Sequence, residues 1–274
     1  MDIIVPLNTE QYIAAVDQLS LLKSAAADAI AEKDELVFHR SMELEREYIL
    51  KVGSLENRIL SAEHELQKLK RKAEVVRTYS FDLRDSDLKM IDMQVELEYS
   101  KLGNELKNRL QKEEVILETE LPVSISEEAK LRLTAVYSRL IKLLHPELNP
   151  DTDRESLLLW QRAHAAFIRR DPDDLIRIAL QCAYVCEYVP DKSVSDDLVS
   201  RMERCRELIA NNQSVCEKIR KEYPFTYEER LSDEGWVHRS RMVNEGMLDY
   251  LNAAYDENLQ NLNELVDRKR ANEK

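Results

Sequence analysis

Glycine is nearly absent from this chain, at 4 of 274 residues, and proline contributes only 7. Strand-rich folds need both in number to close their turns, so the scarcity excludes a sheet protein and points to long uninterrupted helices. Aromatic residues are few as well, at 6%, which leaves a core that is mostly aliphatic and thin, as in a coiled coil. No apolar run reaches the roughly 20 residues that span a bilayer. The opening Met1-Asp2-Ile3-Ile4-Val5-Pro6-Leu7 lacks the basic region and long apolar segment of a secretory signal. A cytoplasmic location without a membrane partner is therefore expected, and the four cysteines default to reduced thiols. A basic surplus is missing too. Acidic residues outnumber basic ones by 53 to 40, for a formal net charge of −13, which argues against a general nucleic-acid binder, because phosphate recognition needs a basic footprint.

What is abundant is heptad spacing. From about residue 9 to Thr78 there is no proline and only Gly53, with Asn8 or Thr9 available as the first N-cap. Leu55, Ile59, Ala62, Leu66, Leu69, Ala73 and Val76 recur in steps of four and three. The pattern extends upstream through Val52, Tyr48 and Leu44 with one extra step of four, a local stutter. Thr78-Tyr79-Ser80-Phe81-Asp82 interrupts it, and Ser80 or Asp82 can cap a new helix. The pattern then resumes at Leu88, Ile91, Val95, Leu102, Leu106 and Leu110 and reaches about Leu117. The two arms, roughly 36–77 and 83–118, are alike in length, which favours an antiparallel hairpin closing on itself. A parallel coiled coil between two copies, and hence a homodimer, is the competing arrangement.

Leu121-Pro122-Val123 ends the second arm, and Ser124 with Glu127 carries a capping-box signature. Ala129, Leu133, Val136, Leu140, Ile141 and Leu144 then share one helix face. Pro146 stops that helix, since it has no N–H to give and disfavours helical geometry at His145. The next helix starts after Asp151 or Asp153, both good N-caps, and presents Leu159, Ala163, Ala166 and Phe167 to the interior. The product is a helix hairpin that displays His145, Pro146 and Glu147 at its tip. A plainer reading, in which Pro146 merely breaks the helix and His145 caps it, competes with a functional one.

The Tyr137-x-x-Leu140-x-x-x-x-His145-Pro146 helix end, the Asn149-Pro150 turn and Gln161-x-Ala163-x-x-Ala166-Phe167 resemble the second and third helices of a J-domain. The likeness covers roughly Ser124 to Ala183, and the whole chain is similar to bacterial proteins that place a J-like domain after an N-terminal coiled coil. J-domains dock on DnaK-type chaperones and stimulate their ATPase. The resemblance therefore implies a chaperone-docking surface made of His145, Pro146 and Glu147 with the basic residues Arg132, Arg139 and Lys142 of the preceding helix, where Lys130 also lies. Two departures stand out. J-domains carry His-Pro-Asp at the tip, and Glu147 keeps the charge but moves it out by one methylene, which bears on pairing with a chaperone arginine. The short first helix of a J-domain, with its Tyr-x-x-Leu-Gly signature, is absent, so the coiled-coil end or the C-terminal helices must cover the hairpin.

After Phe167, Asp171 reads as an N-cap with Pro172 at the first helical position. Leu175, Ile176, Ile178, Ala179, Cys182 and Ala183 form a strongly apolar helix, Tyr188–Ser193 a linker, and 194–221 and 228–270 further helices. Cys182 with Cys186 and Cys205 with Cys216 each share a helix face, but without Cys-x-x-Cys knuckles they read as buried thiols and not as a zinc site. His39, His64, His164 and His238 have no partners at ligand or catalytic spacing, and no nucleophile–base pair or phosphate-binding loop is visible. No enzyme, cofactor or metal is expected.

The expected protein is all-α: a coiled-coil hairpin over 1–120, a J-like unit over 121–189 and C-terminal helices over 190–274. Its expected role is that of a co-chaperone or adaptor whose coiled coil binds a client or scaffold protein. The alternative is a structural or assembly protein that has kept only the J-like scaffold for protein–protein contacts.

Overall fold

The structure, a computed structural model, describes residues 9–79, 83–119, 126–185 and 195–271. Asn8, Ser80, Asp82, the Leu121-Pro122-Val123 break, Ser124, Cys186 and the 188–193 linker lie outside these residues, but the caps expected at Ser80 or Asp82 and at Ser124 are corrected, since Arg84 and Ser126 occupy the N-cap positions of the two helices that follow. Among the described residues there is no strand, and the protein is all-α. Among the described residues no helix is long and apolar enough to cross a membrane.

Helical conformation is continuous from Thr9 to Thr78 as α1 (Thr9–Glu35), α2 (Ser41–Tyr48) and α3 (Ser54–Thr78), joined by π-turns at Leu36–Arg40 and Ile49–Gly53. Each π-turn widens the helix by one residue, and the second occupies the stretch where the heptad pattern stutters. The other helices are α4 (Asp85–Glu118), α5 (Glu127–Leu144), α6 (Arg154–Ile168), α7 (Pro172–Val185), α8 (Ser195–Arg220), the short α9 (Glu228–Ser232) and α10 (Glu234–Ala271). The chain divides into two compact units, Met1–Leu44 with Leu121–Thr226, and Glu45–Glu120 with Tyr227–Lys274.

In the first unit α1 is the central helix. Ala26, Ala27, Ala29, Ile30 and Ala31 are buried on it, and these short side chains let neighbouring helices approach closely. α5 runs antiparallel to α1, since Ser138 meets Asp28 while Lys142 meets Ser20 and Ser24. α8 runs parallel to it: Cys205 lies near Lys23, and Arg220 pairs with Glu32 at 2.6 Å. Tyr137, Leu140, Ile141 and Leu144 of α5 join Ala163, Ala166 and Phe167 of α6, Leu175 and Ile178 of α7 and Leu198 of α8 in one core with α1. α1 is thus the helix that covers the hairpin. Its sequence gave little warning, because alanine is apolar enough to bury yet too common in exposed helices to mark a face.

The second unit is built on α3. α4 lies antiparallel to it, with Arg71 on Glu98, Lys72 on Asp92 and Asn57 on Glu113. The last long helix, α10, runs parallel to α3: Lys51 reaches the Leu231 carbonyl at one end and Lys269 reaches the Tyr79 carbonyl at the other. All three helices share a core of Leu69, Ala73, Val76, Ile91, Val95 and Leu262.

Gly53 closes the second π-turn under the ring of Tyr48, and a Cβ there would sit 2.8 Å from Tyr48 Cε1. That ring cannot swing aside freely, because its hydroxyl donates to Glu56 and its face lies 4.6 Å from the Tyr227 ring. Gly53→Ala should lower stability by about 1 kcal/mol net, ring displacement outweighing the better helix propensity. In a Tyr48→Ala background the same change should become stabilising. Chemical denaturation of the four-member cycle measures both.

Candidate docking site

α5 is framed by its own caps. Ser126 accepts from the Ala129 N–H at 3.2 Å at the start, and at the end His145 leaves the helical region at φ −65°, ψ 126°, as a residue before proline must. The turn then satisfies the carbonyls that the helix leaves open. Leu148 and Asn149 both donate their N–H to the His145 carbonyl at 3.0 Å, and Asn149 Nδ2 donates to the Lys142 carbonyl at 3.0 Å. Asn149 Oδ1 in turn accepts from Lys23 Nζ of α1 at 3.1 Å. Leu148 is buried, whereas Glu147 is exposed and its N–H donates to His145 Nδ1 at 3.2 Å. Asp153, one of the two expected caps, opens α6 by accepting from the Ser156 N–H at 2.7 Å.

The His145 ring is half-buried and meets Trp160 edge-on, 4.7 Å between centroids. Burial holds its pKa below the ordinary histidine value; Lys33 and His164 push the same way, against Glu147 and Asp34. A neutral ring fits the hydrogen bond that Nδ1 accepts from Glu147.

Behind the tip lies a buried polar cluster that joins three helices. Tyr137 of α5 donates to Asp34 Oδ2 of α1 at 2.7 Å and accepts from His164 Nδ1 of α6 at 2.8 Å. Lys33 adds an ion pair to Asp34 at 3.3 Å. Burial, followed by the Asp34 charge, pushes the Tyr137 phenol far above its ordinary range. The Tyr137 ring stacks on Phe167 at 3.9 Å, and Trp160 stacks on both Tyr137 and His164.

A second cluster fixes the far end of α6. Arg170 N–H bonds to the Phe167 carbonyl and Asp171 N–H to the Ala166 carbonyl, both at 2.9 Å. This Schellman arrangement puts Arg170 at φ 53°, the left-handed position that glycine usually fills. The arginine is buried there and reaches Glu43 at 2.6 Å and Glu35 at 3.7 Å. His39, inside the first π-turn, donates from Nε2 to the Phe167 carbonyl at 2.9 Å and sets Nδ1 2.6 Å from Glu35. Burial works against ionisation of Glu35, but the His39 hydrogen bond and the charges of His39, Arg170 and Lys130 outweigh it and hold that carboxyl below its usual value. Asp171 caps α7 through the Asp174 N–H at 2.9 Å, with Pro172 in the first turn as expected.

The structure brings His145, Pro146 and Glu147 together at the tip but spreads the basic residues. Arg139 is exposed, and among the described residues no ion pair holds it. Arg132 pairs with Glu128 at 2.7 Å. Lys130 pairs with Glu127 at 2.9 Å. Lys142 is directed at α1, donating to Ser24 and Ser20 at 2.8 and 3.0 Å. Cys182, Cys205 and Cys216 are buried, and among the described residues no group of three or more His, Cys, Asp or Glu could hold a metal ion. His164 finds its partner Tyr137 across the fold, and His39 joins Glu35 one turn back to the distant Phe167 carbonyl. No sequence signal announced this, because Asp34–Tyr137 and His39–Phe167 are contacts over more than 100 residues. No family model, curated protein or solved structure matches the chain.

Two measurements probe this region. Tyr137→Phe takes from buried Asp34 the donor on Oδ2, leaving it the Lys33 ion pair, and should cost about 1–3 kcal/mol in urea unfolding. Asp34→Ala combined with it should cost clearly less than the sum of the single changes. The second concerns pH. The folded pKa of His145 lies below the unfolded one, so the unfolded chain takes up the proton first on acidification. The stability that His145 contributes should therefore fall as pH drops below about 6.5, the ordinary histidine value. The difference in urea midpoint between the parent protein and His145→Gln should shrink over that interval.

Proposed function

We propose that this chain is a J-domain-like co-chaperone or adaptor. The hairpin tip His145-Pro146-Glu147 would engage a DnaK-type chaperone, and the helical second unit would hold a client or scaffold protein. The observation that carries this reading is the construction of the tip. Four hydrogen bonds from the Leu148 N–H, the Asn149 N–H and amide, and Lys23 fix the turn, and His145 is set against Trp160, so that the Glu147 carboxylate is presented to solvent from a rigid support. A turn that merely ended α5 would not need its glutamate N–H aligned by the preceding histidine ring. Arg139 lies exposed two turns back on the same helix, where it can add to docking.

A second reading has its own support. Lys142 is engaged by α1 and Arg132 by Glu128, so the basic face available to a chaperone is narrower than the sequence pattern suggests. A scaffold that keeps the J-like hairpin only for protein–protein contacts would look this way.

Steady-state ATP hydrolysis by a bacterial DnaK-type chaperone, with and without the protein, separates the two. Stimulation is expected with the parent chain, and His145→Gln should abolish it. If the parent chain gives none but Glu147→Asp does, the scaffold reading holds and the glutamate is the reason.

A further inference from the structure

We propose that two copies of this chain associate through the second unit, with the basic middle of α4 of each copy lying on the acidic stretch of α10 of the other. The inference does not depend on the docking reading above.

The observations come from α3 outward. A cavity of about 240 Å³ lies beside Leu69 and Lys72 of α3, while around Ala73 and Val76 both partner helices are packed and the core is closed. Around residues 54–67 it is not: cavities of about 390 and 120 Å³ open there, the first lined by Ala62 and Leu248, the second by Leu60 and Leu106. Leu102 continues the α4 seam that buries Ile91 and Val95, yet it stays 46% exposed. On α10, Leu248, Leu251 and Leu262 are buried against α3, but a second stripe, Val243, Met247, Tyr250 and Ala254, repeats in steps of four, three and four. Val243 is 69% and Tyr250 65% exposed. This is the spacing that a helix offers to another helix, and monomers rarely leave apolar surface of this kind contiguous and open.

Charge says what covers it. From Lys101 to Lys112, α4 carries Lys101, Lys107, Arg109 and Lys112 against the single acid Glu105. From Met242 to Asp267, α10 carries Glu245, Asp249, Asp256, Glu257, Glu264 and Asp267 and no lysine or arginine. Among the described residues, the four α4 cations, Asp249, Asp256 and Glu257 make no ion pair. Both stretches flank α3 at the same level, because the cavities place Leu102–Arg109 beside residues 60–67 and Leu248–Tyr255 beside residues 58–65. A two-fold axis through this end sets each basic stretch on an acidic one twice over, the self-complementarity that an isologous interface requires.

Gly246 adds an independent reason. It lies within α10 beside Val243 and Tyr250, and a Cβ there would meet nothing within 4 Å. Glycine in mid-helix weakens the helix relative to alanine, and no neighbour in its own chain requires one at that position. Close approach of a second copy does.

The test is a charge exchange on the full chain, read by sedimentation equilibrium. The parent protein should be dimeric, with an affinity that weakens as salt is raised. The triple variant Lys107→Glu, Arg109→Glu, Lys112→Glu and the triple variant Asp249→Lys, Asp256→Lys, Glu257→Lys should each raise the dimer Kd on the order of a hundredfold. Mixed together they should form a heterodimer near parental affinity, since both of its contacts again join opposite charges. Gly246→Gln guards against misfolding: it should keep or raise helicity and melting temperature measured on the monomer while weakening the dimer. A monomeric parent protein overturns the proposal. So does a dimer that ignores both triple variants, or a mixture of folded variants that fails to recover association.

Discussion

A carboxylate taken out of water is the constraint around which the first unit is arranged. Asp34 is 4% exposed, and a charge at that depth is tolerable only with donors held on it. The Tyr137 hydroxyl and the Lys33 ammonium supply them, and His164 completes the chain of donors behind the tyrosine. One residue from each of α1, α5 and α6 is thereby fixed to the others within hydrogen-bond tolerance. A hydrophobic contact would accept a slide of one helix over another, but this cluster does not. Its value lies in register more than in net energy, since buried polar groups repay their desolvation poorly. Register matters here because Trp160, which stacks on two members of the cluster, is also the surface against which His145 rests.

The α3–α4 hairpin was legible in the sequence because its signal is local and redundant. Seven apolar positions in steps of three and four leave one helix face to bury, and arms of like length leave one easy way to pair them. The caps Asp153 and Asp171 and the break at Pro146 were legible for the same reason, since each acts through its own backbone neighbours. α1 and α10 were legible as helices but not in what they pack against, α1 because of its alanines and α10 because its seam is interleaved with a second apolar stripe. The candidate site divides in the same way. The tip can be read from three residues in a row, whereas the cluster that supports it cannot. Asp34, Tyr137 and His164 are ordinary helix residues until the fold brings them together, and Arg170 gives no sign in the linear chain that it replaces a glycine. Their role is a property of the packed state.

The charge pattern shows how little a net value describes. A surplus of acid argues against phosphate binding for the chain as a whole, but on the second unit the signs gather in stretches, basic over residues 101–112 of α4 and acidic over 245–267 of α10. On the first unit the opposite holds, with most cations of α5 matched to an acid or a hydroxyl nearby, so that Glu147 and Arg139 are left facing outward.

The first π-turn carries a consequence for how this sequence can change over time. Within Leu36–Arg40 the side chain of Val37 is exposed, and by its surroundings that position should accept many residue types. The length of the segment is another matter. Removing or adding one residue between Glu35 and Glu43 would turn Glu43 by about 100° around the helix axis, carrying it away from Arg170 and leaving a buried guanidinium without that ion pair. Homologous chains should therefore drift in letters at Val37 while keeping the count of the segment, so that an alignment gap between these two glutamates marks a protein in which the end of α6 is built differently.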